Sequence, residues 1–70
     1  MERTNVSSSN VHSIGYDANT KTLEVQFNNG SIYQYYDVPQ SVYSGLMSAS
    51  SHGSYLHVHV KGIYQYRQVG

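Results

Sequence analysis

Residues 22–36, TLEVQFNNGSIYQYY, decide the fold. The first six alternate: Leu23, Val25 and Phe27 point one way and Thr22, Glu24 and Gln26 the other, as in a strand buried on one face. Asn28-Asn29-Gly30 then turns the chain back into Ile32-Tyr33-Gln34-Tyr35, and the turn sets which tyrosines face the core. A two-residue Asn29-Gly30 turn pairs Phe27 with Ile32 and sends Ile32, Gln34 and Tyr36 inward. A turn over Asn28, Asn29 and a left-handed Gly30 pairs Phe27 with Ser31 instead, setting Tyr33 beside Val25 and Tyr35 beside Leu23. The second register is preferred because Gln34 then lies outside with Glu24 and Gln26. It leaves Ile32 and Tyr36 on the outer face.

The chain around this hairpin is short and neutral. Seventy residues make one domain near the lower size limit for a single core. With no Cys, disulfides and thiolate metal sites are excluded as staples. Eight Tyr and one Phe supply the bulk, and tyrosine suits a thin domain because the ring packs while the hydroxyl reaches water. Arg3, Lys21, Lys61 and Arg67 balance Glu2, Asp17, Glu24 and Asp37. That balance argues against strong, charge-driven nucleic-acid binding. No apolar run approaches the ~18 residues of a membrane span, and no signal-peptide pattern opens the chain. A soluble cytoplasmic protein with no membrane role is the expectation.

Outward from the hairpin, residues 1–8 read as a flexible polar arm and 9–70 as the domain. Val11, Ile14 and Tyr16 mark a first strand, with a turn at Asp17–Lys21. After Asp37, Pro39 fits a helix start, and Val42, Tyr43, Leu46 and Met47 form one stripe at helical spacing, ending near Ala49. Gly45 inside that helix suggests close packing against the sheet. Residues 51–60 are ambiguous. Val58 and Val60 favour a strand, whereas a helix capped by Ser51 turns Leu56, His59 and Val60 inward. The final IYQYRQV, residues 63–69, is expected to be a strand.

In their order and spacing, "SSNV", "IGYD", "LEVQF", "YQYYDVP", "VY..L..A.S.G.YL" and "KGIYQYR" resemble the KTSC domain over residues 8–69. This small family is named for its occurrence at the C-terminus of some lysyl-tRNA synthetases, and it also occurs as free-standing bacterial and phage proteins. The resemblance implies an α+β fold: a small antiparallel β-sheet in the order β-β-β-α-α-β, with two short helices packed on one face. On that basis residues 51–60 are taken as a second helix. RNA binding is suggested for the family through the synthetase link. Typical members carry extra Lys or Arg where this chain has His52, Ser54 and Gln68, which weakens that case here.

The word IYQY occurs twice, at 32–35 and 63–66. If both copies lie in one sheet, Tyr33, Tyr35, Tyr64 and Tyr66 share a face, because alternate strand residues point the same way. Such rings form either a stacking platform for bases, with Lys61 and Arg67 holding phosphates, or simply the core. His12, His52, His57 and His59 lack the companions of a metal motif, and no cofactor is expected. Ser50, Ser51 and Gly53 read as a helix cap in preference to an anion site. No nucleophile elbow, acid pair or phosphate loop is present, so no enzyme is expected. The reading is a non-catalytic binding module whose candidate partner is RNA, bound weakly and in a salt-dependent way. The alternative is a protein-interaction or homodimerising module, in which Ile32, Tyr36, Ile63 and Val69 form the contact; the chain is then a monomer or weak homodimer.

Overall fold

The computed structural model describes residues 1–70. Five antiparallel strands follow one another across the sheet in chain order: β1 (Thr4–Asn5), β2 (Val11–Asp17), β3 (Thr22–Phe27), β4 (Ile32–Tyr35) and β5 (Tyr66–Gln68). Between β4 and β5 run helices α1 (Gln40–Ser48) and α2 (His52–His59). Leu46 of α1 and Leu56 of α2 close a core over Val11, Ile14, Leu23, Val25 and Tyr35, with Val38 and Val60 at its margins. Both helices therefore cover one face, as expected for this α+β architecture. No helix is long and apolar enough to cross a membrane.

The hairpin adopts the three-residue register. Phe27 N–H donates to Ser31 O at 2.9 Å, and Val25 and Leu23 lie opposite Tyr33 and Tyr35. Gly30 takes φ +93°, a left-handed conformation that a side chain would strain. Asn29 Oδ1 accepts from Ser31 N–H at 2.9 Å, an Asx turn that stiffens the corner.

Residues 52–59 are helical against the local preference of Val58. Ser51 Oγ accepts from Ser54 N–H at 3.3 Å, and His52 Nδ1–H donates to Leu46 O at 2.9 Å, tying α2 to the end of α1. Leu56 and Val60, four apart, are fully buried, while Val58 is exposed. Burial at helical spacing outweighs β propensity here. His59 does not turn inward as expected; it is exposed, with its ring 4.4 Å from that of Tyr55. Gly45 packs against α2 and not against the sheet, since a Cβ there would fall on the Tyr55 phenol.

Two further expectations change. The last strand begins at Tyr66, not at Ile63, because the chain must first leave α2. Lys61 N–H reaches back to Leu56 O (2.8 Å), and Ile63 N–H to Val60 O (3.1 Å) across a turn with Gly62 at φ +79°. At the other end, the polar arm contributes β1. Gly15 admits it: a Cβ there would collide with the Glu2 carbonyl oxygen. Arg3 then spans the outer face, its Nε donating to Ser13 Oγ (3.0 Å), Nη2 to Gln26 Oε1 (3.1 Å) and Nη1 to the Glu24 carboxylate.

Glu24 is nearly buried and also accepts from Gln34 Nε2 at 2.8 Å. Burial pushes its carboxyl up, but the hydrogen bonds from Gln34 and Arg3 and the guanidinium charge outweigh it, holding the group below the ordinary carboxylate value. A lowered folded value means stabilisation that is complete above the unfolded glutamate pKa of about 4.3 and lost as pH falls through the folded value. Thermal melts between about pH 6 and pH 3 should therefore fall more steeply for the natural protein than for Glu24→Gln. Parallel slopes would remove this role from Glu24.

Candidate functional site

Antiparallel register places Tyr66 beside Tyr35 and Gln68 beside Tyr33, so Tyr33, Tyr35 and Tyr66 share the helix-side face of the sheet. The Tyr66 ring lies 5.7 Å from Tyr33 and 5.9 Å from Tyr35, tilted 42° and 40°, while Tyr33 and Tyr35 stack at 6.5 Å. Phe27 meets the Tyr33 ring edge-on, at 5.7 Å and 82°. These spacings are those of mutually stabilising aromatic pairs. Exposure then sorts the rings. Tyr35 is 3 % exposed and belongs to the core, Tyr33 and Phe27 are half-buried, and Tyr66 is 62 % exposed. Burial first, then the neighbouring phenols of Tyr33 and Tyr66, push the Tyr35 hydroxyl above the ordinary tyrosine value, so it stays a neutral donor.

These rings line an open cleft of about 740 Å³ between the sheet, the turn after α2 and the segment before β2. Its one charged side chain is Lys61, whose Nζ stands 5.1 Å from the centre of the Phe27 ring. A cation at that distance is attracted to the ring face, which holds the ammonium at the mouth. The polar rim comes from Ser9, Asn10, Asn28, Asn29 and Ser31. Asn28 Nδ2 donates to Ser8 O (3.2 Å) and Ser9 O (2.9 Å), locking the hairpin turn to the opposite wall. The site thus combines a flat aromatic wall, one cation and several fixed amides.

Of the six residues singled out from sequence, Tyr33, Tyr35, Tyr66 and Lys61 come together. Tyr64 and Arg67 do not. Tyr64 sits in the turn leaving α2, its N–H donating to Val60 O at 3.3 Å, and packs against the core margin. Arg67 lies across from Gln34, on the outer face with Glu24. Sequence reasoning gave Phe27 only a core role. Its place in the cleft follows from the turn register, which puts it at the uncovered end of the hairpin. Ile63, likewise, is exposed in the turn and not on the outer sheet face.

A second depression of about 820 Å³ lies beside the arm and β2, with Glu2 and Asp17 in its wall and no basic side chain. The histidines do not converge, and no three His, Asp or Glu side chains stand close enough to hold a metal ion.

A family model described as the KTSC domain matches residues 7–66. Lysine–tRNA ligases of Trichormus variabilis and Nostoc sp. are 41 % and 43 % identical to the chain over 54 residues, 77 % of its length. The chain spans only about 10 % of those ligases. An uncharacterized protein of Stutzerimonas stutzeri is 42 % identical over 53 residues, covering 76 % of this chain and 75 % of that one. The crystal structure of a KTSC domain protein from Yersinia pestis superposes with a TM-score of 0.93 at 41 % identity, covering 99 % of this chain and 97 % of that one.

Proposed function

The chain belongs to the KTSC domain family, and on that premise we propose that it is a non-catalytic binding module that takes single-stranded RNA in the cleft of Tyr66, Tyr33, Phe27 and Lys61. The observation that carries this reading is the open Tyr66 ring beside a ring-held ammonium. Bases stack on exposed aromatics with little regard to sequence, and the ammonium is placed for a phosphate. Relatives named for a tRNA substrate carry a matching segment, which agrees with an RNA ligand. The cleft wall has no carboxylate or imidazole.

The test is a fluorescence-anisotropy titration of a labelled single-stranded RNA at two salt concentrations. Saturable binding that weakens with salt is expected, and Lys61→Gln should weaken it further at the lower salt. No anisotropy change at low salt would discard the RNA reading. Exposed Ile63 and Val69 near the β5 edge would then bring forward the protein-partner alternative, for which light scattering across concentration reports self-association.

A further inference from the structure

We infer that the cleft is a one-nucleotide site: a single unpaired base lies on Tyr66, its phosphate meets Lys61, and flanking nucleotides remain in solvent. This rests on the RNA reading above and specifies its ligand. The first ground is the placement of the four basic side chains. Arg3 is engaged by Ser13, Glu24 and Gln26 on the outer face. Arg67 shares that outer face through its pairing with Gln34. Lys21 lies just before β3, whose first residue Thr22 is roughly 17 Å from Phe27 at about 3.4 Å per strand residue. Lys61 alone reaches the cleft.

The second ground is the state of the rings. Tyr35 is floor, Tyr33 and Phe27 are half-covered by each other and by neighbours, and only Tyr66 presents a broadly free face. A track for several nucleotides needs repeated cations and repeated open rings, and neither is present. The rim amides reinforce the limit. Asn28 Nδ2 donates to Ser8 and Ser9 and Asn29 Oδ1 accepts from Ser31 N–H, and the rim adds no further cation.

Counterion release converts the cation count into a measurable quantity. For single strands the slope of log K against log salt is about −0.7 per phosphate neutralised, so one contact gives a slope near −0.7. The experiment uses the intact chain and titrates a nucleoside 5′-monophosphate, then trinucleotide, hexanucleotide and dodecanucleotide RNA, across a series of salt concentrations. The expected result is an affinity that is constant once divided by the number of positions each ligand offers, with a slope near −0.7 for the dodecanucleotide. Lys61→Gln should flatten the slope toward zero. Arg67→Gln, with its thermal melt checked against the natural chain, should leave both affinity and slope unchanged. Affinity rising faster than the number of positions, with a slope steeper than about −2 or a loss on Arg67→Gln equal to that on Lys61→Gln, would overturn the one-nucleotide site while leaving RNA binding intact. Failure of every ligand to bind the folded protein would overturn both.

Discussion

Tyr66→Ala is expected to lower affinity for single-stranded RNA by roughly 5- to 150-fold, corresponding to the ~1–3 kcal/mol that one base–aromatic stack contributes. The fold should survive the change. Tyr66 is exposed on a three-residue edge strand, and what it gives the core is its packing against Tyr33 and Tyr35. Two aromatic pairs of this kind are together worth about 1–3 kcal/mol, which in a chain of this size lowers Tm by roughly 5–20 °C and leaves a cooperative melt. Tyr66→Phe keeps the ring and should restore most of the binding. The readouts are anisotropy for affinity and far-UV circular dichroism for the melt. Undiminished binding by a folded Tyr66→Ala protein would remove the base from this wall.

Tyr35→Ala should have the opposite signature: collapse of the melt before any question of binding arises. The ring is 3 % exposed, opposite Leu23, inside a cluster completed by Leu46 and Leu56. Truncating a large buried aromatic costs about 3–5 kcal/mol. The whole stability of a 70-residue domain is of that order, at roughly 0.05–0.15 kcal/mol per residue. The variant is therefore expected to be largely unfolded at 25 °C, or to melt without a cooperative transition, and a native-like melt would show that the ring does not hold the core. Tyr35 and Tyr66 are the last letters of the two IYQY copies and lie side by side in the sheet. Their fates differ because the helices roof β4 while β5 is the edge.

That contrast shows how far local sequence reaches. The hairpin register was legible because Gln34 needs the outer face and Gly30 tolerates a left-handed turn, both properties of single residues. Helix α1 was legible from the spacing of Val42, Leu46 and their neighbours. Helix α2 was not legible from propensity, since Val58 and Val60 point the other way. The family pattern supplied it, and the physical reasons lie in the Ser51 cap and the burial of Leu56 and Val60. The repeated word overstated the last strand, because leaving α2 absorbs Ile63 and Tyr64.

The candidate site was half legible for the same reason. Alternation along a strand placed Tyr33 and Tyr35 together and, once β5 is positioned, Tyr66 with them. The same alternation sends Arg67 to the other face, which a list of nearby basic residues conceals. The contact of Lys61 with Phe27 joins segments distant in the chain, and nothing local announces it. Arg3 is the clearest omission. In a polar arm it looks unconstrained, yet Ser13, Glu24 and Gln26 each sit on the outer face of a different position in the sheet and together receive its guanidinium.

The sheet lists its strands in the order in which they occur in the chain. Three of its four seams therefore join immediate neighbours and can zip from short turns, with little entropy lost in bringing the ends together. The fourth must wait for the whole helical excursion between β4 and β5 to find its place, so nearly all the long-loop penalty falls on one junction. That junction is the one carrying Tyr66. The open wall of the cleft is thus the seam with the longest stretch of chain to close, laid down on hairpins that can already have zipped.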